Sequence, residues 1–389
     1  MSVDRRIKVL DLSTHFSGSV ASRHLAHLGA DVVKLENPRI GDGNRNLEPL
    51  IANEGMAHVA LNAGKRSVAV DSRSPEWERV LAASTRWADV VIVGAQPVSA
   101  QRRKLDFKSF AARNPNIVYC LISGYGEDGP WRDHPSHGLN GDAPTGLVQV
   151  ETTDGIIAPR RQYKSYGTTL AGLHAALGIM EGLRRRDLGL GAQRVSVSVW
   201  QSAMGWQWRE ITTSANLGIP HRAYRDLGSR YAMYGTSDDR TILICPIERK
   251  FWEVFCDVVG LPAEYKSAGN WDSSGMDWGN GREQERVLIG RAIRGRTLND
   301  WQEAFEAAGV PFSPLLTLEE AIETEQARVV GVTATTMVNG QTVRVANIPI
   351  QIGTLDGADG PPPRTDTVPP PPALGEHTQE FLREVLGPE

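Results

Sequence analysis

The sequence predicts an α/β protein: a large domain with a doubly wound parallel sheet, drawn from both ends of the chain, and a small α+β domain inserted between them. Three observations predict it. Short apolar strands alternate with helices up to Gly126. After Met204 the pattern turns to hairpins and amphipathic helices. Past Val310, strand-like runs and a closing helix return. The expected boundaries are 1–205 for the first part of the large domain, 206–221 for a linker, 222–309 for the small domain, and 310–389 for the return to the large domain.

Ile7–Ser13 is an apolar run that reads as a buried strand, followed by a loop with Phe16, Ser17 and Gly18. Ser19–Ala30 reads as a helix stopped at Gly29, and Asp31–Glu36 as the next strand. Ser67–Asp71, Asp89–Gly94 and Asn116–Gly126 add strands, with a helix over Pro75–Ala88. The order is Rossmann-like, and such sheets bind ligands beyond the carboxyl ends of their strands. The loops after Leu12, Glu36, Val93 and Ser123 are therefore candidate sites. No G-x-G-x-x-G follows the first strand and no G-x-x-x-x-G-K-[ST] occurs, which argues against a nicotinamide dinucleotide and against a P-loop.

Lys164–Met204 organises the next part of the chain. Leu170, Leu173, Ala176, Leu177 and Met180 recur at three- and four-residue steps and predict a core-facing helix. Arg184, Arg185 and Arg186 suit the negative end of its dipole, and Gly189 and Gly191 stop it. Val195, Val197 and Val199 alternate with Ser196 and Ser198 as a half-buried strand. The polar first turn, Gly167-Thr168-Thr169, leaves backbone N–H groups free to face a ligand.

Beyond Met204, hairpin strands are expected around Asp238-Asp239, a helix from Lys250, and two further helices before Gly309. Asn339-Gly340 between apolar runs predicts a tight hairpin. Gly357–His377 is a Pro-rich extended crossing, and Thr378–Gly387 a short amphipathic helix.

Composition narrows the function. With 389 residues, 40% hydrophobic, 23% charged and a net charge of −4, the chain gives no sign of a nucleic-acid or membrane-surface partner. Cys120, Cys245 and Cys256 lack metal spacing and point to a reducing, cytoplasmic compartment; no apolar run reaches membrane-spanning length. No H-x-x-x-H, C-x-x-C or acidic cluster supports a metal, and no G-x-S-x-G supports a serine hydrolase. His137, in a Gly- and Pro-rich loop, and Glu248, at a strand end, are the isolated candidates for chemistry. Lys34, Lys65, Arg66, Arg102, Arg103 and Lys104 fall at or near strand-end loops, either as a solvated surface or as partners for phosphates. Trp200, Trp206 and Trp208 are either core residues or the wall of a bulky acyl site.

Five ordered blocks carry a resemblance: Ile7–Arg45, Leu61–Asp71, Arg113–Asp133, Leu170–Ser198 and Ala373–Gly387. Together they resemble the family III CoA-transferases of the CaiB/BaiF type. The resemblance implies a Rossmann-like large domain made from both chain ends, a linker and a small domain. It also implies an interlocked homodimer and an acyl-CoA ligand held between domains, with no metal and no nicotinamide. Arg39, Lys65, Arg66 and Arg102 match the residues that take the adenosine diphosphate part of CoA. Phe16, Gly18, Gly124 and Tyr125 complete the CoA-binding set.

The departure from the family is informative. Its transferases carry an aspartate four residues before the glycine of an "AG" pair, and that aspartate attacks the thioester to form a mixed anhydride. Here the glycine is Gly172 and the matching position is Thr168. A threonine ester would be too stable to turn over in that role, because only an anhydride stays reactive enough for the next step. The branch similar to α-methylacyl-CoA racemase pairs a histidine with a glutamate, matched here by His137 and Glu248. Proton transfer beside the thioester with one base is the leading expectation, giving an isomerase, epimerase or lyase. The alternatives are a CoA-transferase, alone or in a heteromer with a related chain that brings the aspartate, and a non-catalytic acyl-CoA-binding protein.

Overall fold

The computed structural model describes residues 6–161, 163–218, 228–271, 275–352 and 366–387. Part of the expected linker 206–221, the expected start of the small domain at 222, and part of the Pro-rich crossing lie outside the described residues. The chain divides into two compact units, one of residues 1–208 with 326–389 and one of residues 209–325.

The first unit is built on β1 (Lys8–Asp11), α1 (Phe16–His27), β2 (Asp31–Glu36), β3 (Arg66–Ala69), α2 (Trp77–Trp87), β4 (Val90–Gly94), β5 (Val118–Ser123), α3 (Tyr166–Arg185) and β6 (Gln193–Ser198). The six strands form one sheet in the order β6-β5-β4-β1-β2-β3, and every neighbouring pair is parallel. Numbered along the chain this is 3-2-1-4-5-6, the Rossmann order, with the reversal between β1 and β4. Successive residues of a strand face opposite sides, so each strand feeds two cores. Leu10, Val33, Val91 and Tyr119 pack with Leu81 of α2 and Phe381. Val9, Val32, Val90 and Val118 pack with Leu25 of α1 and with Ala171, Ala175 and Ile179 of α3. The C-terminal helix Thr378–Leu386 joins the first layer, its Phe381 ring edge-on to Trp87 at 5.1 Å. The unit is thus an α/β sandwich closed by the end of the chain.

α3 turns a different face inward from the one its apolar spacing predicts. Leu173, Leu177 and Met180 are exposed, while Gly167, Thr168, Ala171, Gly172, Ala175, Ile179 and Gly182 are buried. The reason is close approach. A methyl at Gly172 would stand 2.5 Å from Cβ of Val20 and 2.7 Å from the Ser17 carbonyl of α1. At Gly182 it would stand 2.7 Å from Val118. Small residues let the helix lie directly on α1 and the sheet, and the bulky stripe is left outside.

The expected hairpin at Asn339-Gly340 joins strands Thr333–Val338 and Gln341–Ala346, with both turn residues at positive φ. A second hairpin, Val150–Thr153 with Ile156–Pro159, turns at Asp154-Gly155 by the same geometry.

In the second unit, strands Ala232–Gly235, Thr241–Ile244 and Phe312–Pro314 form an antiparallel sheet. Helices Arg249–Val259, Glu283–Ile293 and Leu298–Ala308 cover it around Ile242, Ile244, Trp252, Phe255 and Phe305. Because Phe312–Pro314 pairs with Ile242–Ile244, the chain past 310 stays with this unit as far as Glu325.

Candidate active site

The carboxyl ends of β1 and β2 carry charges in the middle of the protein. Asp11 and Lys34 are register partners in the sheet. Lys34 Nζ lies 3.4 Å from Asp11 Oδ2 and 2.8 Å from Asp42 Oδ2, and donates to the Ser13 carbonyl at 2.8 Å. Burial opposes the charge on each, yet the mutual attraction wins. Lys34 is pushed up to about 12, and Asp11, also beside Lys65, Ser13 and Ser22, is held down at about 2. This cluster fixes the loop after β1 and the first turn of α1.

Lys65 belongs to the same cluster. Its ammonium donates to Ser22 Oγ at 2.6 Å, Asn62 Oδ1 at 2.8 Å and the Ser19 carbonyl at 3.1 Å. Here burial dominates and Asp11 only partly offsets it, so Lys65 is pulled down to about 7. Arg66 is also engaged, with both Asp31 oxygens at 3.0 and 2.7 Å and with Glu384 at 2.9 Å. Both of these expected phosphate partners are held by side chains and carbonyls of the protein itself. Arg39, exposed and 3.7 Å from Asp71, and Arg102, exposed at the end of helix Pro97–Arg102, keep solvent-facing guanidinium groups. Phe16 opens α1 partly exposed, and Gly18 presses against Ser13 where a side chain would collide.

The ends of β5 and β6 build the second cluster. The Trp200 backbone N–H donates to the Gly124 carbonyl at 3.0 Å, and the Tyr125 hydroxyl donates to the Asn140 backbone carbonyl at 3.1 Å. The Tyr125 ring stands edge-on to Trp131 at 5.5 Å. These contacts hold the loop that carries His137. The His137 N–H donates to Asn140 Oδ1 at 2.8 Å and starts the short helix Gly138–Asp142. Gly138 rests on the first turn of α3, where a methyl would stand 2.9 Å from Thr168 Cγ2 and 3.1 Å from Ser165 Oγ. His137 and Thr168, far apart in sequence, are thus neighbours, with the imidazole exposed and the threonine buried.

What caps α3 is not its own N-cap side chain. Asp142, fully buried, accepts the Gly167 N–H at 2.9 Å on one oxygen and the Ser165 hydroxyl at 3.0 Å on the other, which also accepts the Tyr163 hydroxyl. Burial, with Asp142 alongside, pushes the Tyr163 phenol well above its usual range. Thr168 Oγ1 stands 3.2 Å from Ser165 Oγ, so a chain of hydroxyls runs from Thr168 to the Asp142 carboxylate. Glu248 lies in the second unit, half-buried, directly before helix Arg249–Val259.

Asp142, Ser165 and Tyr163 escape the sequence reading because nothing in their spacing links them. Asp11 and Lys34 left a signal: a charge inside a strand with buried neighbours needs a partner. Among the described residues no three His, Cys, Asp or Glu side chains cluster closely enough to hold a metal ion, and no helix is long and apolar enough to cross a membrane.

A Rossmann-order sheet with a helix N-terminus and a histidine loop at its carboxyl end is an α/β fold whose candidate site lies where such sheets bind ligands. The model of CoA-transferase family III matches residues 5–378, and the chain belongs to that family. It is 26% identical to mouse succinyl-CoA:glutarate CoA-transferase, over 98% of this chain and 86% of that one. It is 27% identical to formyl-CoA:oxalate CoA-transferase of Bradyrhizobium sp. (strain ORS 278), over 98% and 93%. Among solved structures, a CaiB/BaiF family protein from Brucella suis superposes with a TM-score of 0.76 at 21% identity, covering 97% of this chain and 98% of that one. The protein is accordingly an enzyme of acyl-CoA thioesters.

Proposed function

We propose that this enzyme transfers a proton next to the thioester of an acyl-CoA, with His137 as the base. The observation that carries the proposal is the pairing of an exposed imidazole with a helix start whose carboxylate is closed off. Asp142 is fully buried and both its oxygens are occupied, so it does not offer a free nucleophile. Thr168 presents a hydroxyl where the family resemblance places an aspartate. A thioester α-proton is weakly acidic, and an imidazole nitrogen with a free lone pair is a base that can take it. Backbone N–H groups of the first turn of α3 other than that of Gly167, which Asp142 takes, are the proposed donors to the enolate oxygen. One base suffices for a proton shift along the acyl chain or for β-elimination. Arg39 and Arg102, both exposed, are the proposed phosphate partners, and Glu248 is carried over from the resemblance as a second catalytic residue.

The names of the curated relatives favour a second reading, transfer of CoA between two acids. The exposed Leu173, Leu177 and Met180 on α3 support a homodimer, and the free Cys120 and Cys256, both buried, suit a reducing cytoplasmic setting.

Incubation of a panel of acyl-CoA thioesters in deuterated water, read by mass spectrometry, separates the readings. Deuterium uptake that His137→Ala abolishes and Glu248→Gln reduces is the expected result. No uptake, with isotope scrambling between free acids and CoA, would establish transfer instead. Binding with neither reaction would leave an acyl-CoA-binding protein and overturn both.

A further inference from the structure

Arg23, His24 and His27 stand on the last two turns of α1, a helix without an acidic residue. The half-buried Arg23 guanidinium donates one N–H to the carbonyl of Ala346, at the end of strand Gln341–Ala346, and its Nε–H is buried without a partner. Burial pulls the guanidinium below its usual range, and among the described residues no carboxylate offsets that pull. His24 is buried, its Nδ1 2.8 Å from the Val20 carbonyl. Burial, then the charges of Arg23, His24 and Lys65, pull the His27 imidazole down to about 4. The Arg23 charge also opposes the charge on Lys65. Four basic groups thus stand close enough to repel one another.

The carboxylates of the elements around α1 are taken. Asp11 and Asp42 lie 3.4 and 2.8 Å from Lys34, and Asp11 lies 3.8 Å from Lys65. Asp31 pairs with Arg66, Glu36 with Arg45, and Glu181 of α3 with Arg184, each at 2.7 Å. Helix Met56–Asn62 and the hairpin Thr333–Ala346, which carries Arg344, contain no Asp or Glu. A guanidinium withdrawn from water needs an opposite charge, and this one has a carbonyl and three basic neighbours. Arg23 lies seven residues after Phe16, about 10 Å along the helix axis, so the cluster is two turns away from the helix start at the carboxyl end of the sheet. We infer that Arg23, with His24 and His27 beside it, binds one tetrahedral oxyanion, a phosphate or sulfate group, at a place distinct from the acyl-CoA site. The unpartnered Nε–H and the remaining N–H groups of Arg23 are the donors such an anion takes, and each imidazole adds one when protonated. Because the anion favours the protonated imidazoles, it binds more tightly as pH falls.

Calorimetry and thermal denaturation of the full chain test this with sodium sulfate, which does not titrate near neutral pH, against sodium chloride at equal ionic strength. The wild type should bind one sulfate and gain stability from it, more at about pH 6 than at about pH 7.5. Arg23→Met keeps the length of the side chain without its charge; it should fold in chloride and bind sulfate at least about tenfold more weakly. Arg23→Lys should keep part of the affinity, because the charge stays and the planar fork is lost. His27→Asn should reduce the gain at the lower pH and leave that at the higher. Arg79→Gln, on the exposed face of α2, should match the wild type throughout. Inorganic phosphate and glycerol 3-phosphate, titrated in turn, tell a free ion from a phosphate ester, and binding of either upholds the site. Stabilisation by sulfate that Arg23→Met retains is a general salt effect and overturns the inference, as does the absence of binding. Competition between sulfate and free CoA overturns it too, by placing the anion among the proposed CoA phosphate partners Arg39 and Arg102.

Discussion

Asp142 accepts the backbone N–H of Gly167 at 2.9 Å, so a carboxylate from one short helix caps the start of another across 25 residues of chain. That bond ties the His137 loop to α3. Asp142→Asn would replace an acceptor oxygen with an amide and leave one of the three donors unpaired in a buried site. The expected loss is about 1–3 kcal/mol of stability, measured by urea denaturation. The turnover with acyl-CoA should fall with it, because His137 and Thr168 are positioned through the same bond. Unchanged stability would mean that the carboxylate carries no part of the cap.

Gly172 sets how closely α3 can lie on α1. With a methyl only 2.5 Å from Val20 Cβ and 2.7 Å from the Ser17 carbonyl, Gly172→Ala should cost about 1–3 kcal/mol despite the better helix propensity of alanine. Gly205 faces open space, so Gly205→Ala should be neutral or slightly stabilising. Equal midpoints for the two variants in thermal denaturation would remove the close-packing argument.

His58 gives the stability a defined pH dependence. Burial, then the Arg45 charge beside it, pulls the imidazole from 6.5 down to about 4. Between those values the unfolded chain binds a proton that the folded protein does not, so stability falls as pH falls from 6.5 to about 4. Glu36, held at about 2 by Arg45 and Ser67 against its burial, adds a further fall below its ordinary 4.5. His58→Asn should make the upper window shallower, since His27, also pulled down to about 4 by burial, and His24 keep the rest of it, and should leave the lower one. A denaturation series at half-unit pH steps that shows the same slope in both proteins refutes this assignment.

Leu177 is 70% exposed on the outer stripe of α3, with Leu173 and Met180 beside it. If that stripe is a dimer face, Leu177→Glu should convert a dimer to a monomer with unchanged circular dichroism. Light scattering behind size exclusion reads the outcome. A monomeric wild type, or a variant that stays dimeric, places the interface elsewhere.

Much of the fold was legible in local patterns. Asp31–Glu36 is a strand as its apolar run predicts, and Asn339-Gly340 turns a hairpin because both residues tolerate positive φ. The hairpin at Asp154-Gly155 turns by the same geometry, but its flanking strands are largely exposed and lack the apolar alternation that marks a strand. Lys65 and Arg66 are expected as partners for CoA phosphates, and their internal partners stay hidden because charge alone does not disclose burial and Asp11 and Asp31 are far away in sequence.

The sequence by itself determined the strands of the central sheet, the main helices between them, their order and the family, because these follow from periodicity, turn chemistry and motif blocks within short windows. Only the tertiary structure decided which face of α3 is buried, since that depends on the surface of α1 and not on hydrophobicity. It alone brought Asp142, Ser165 and Thr168 into one chain of hydrogen bonds beside the His137 loop. A capping carboxylate is chosen by distance and direction, and neither is written in the spacing of residues along the chain.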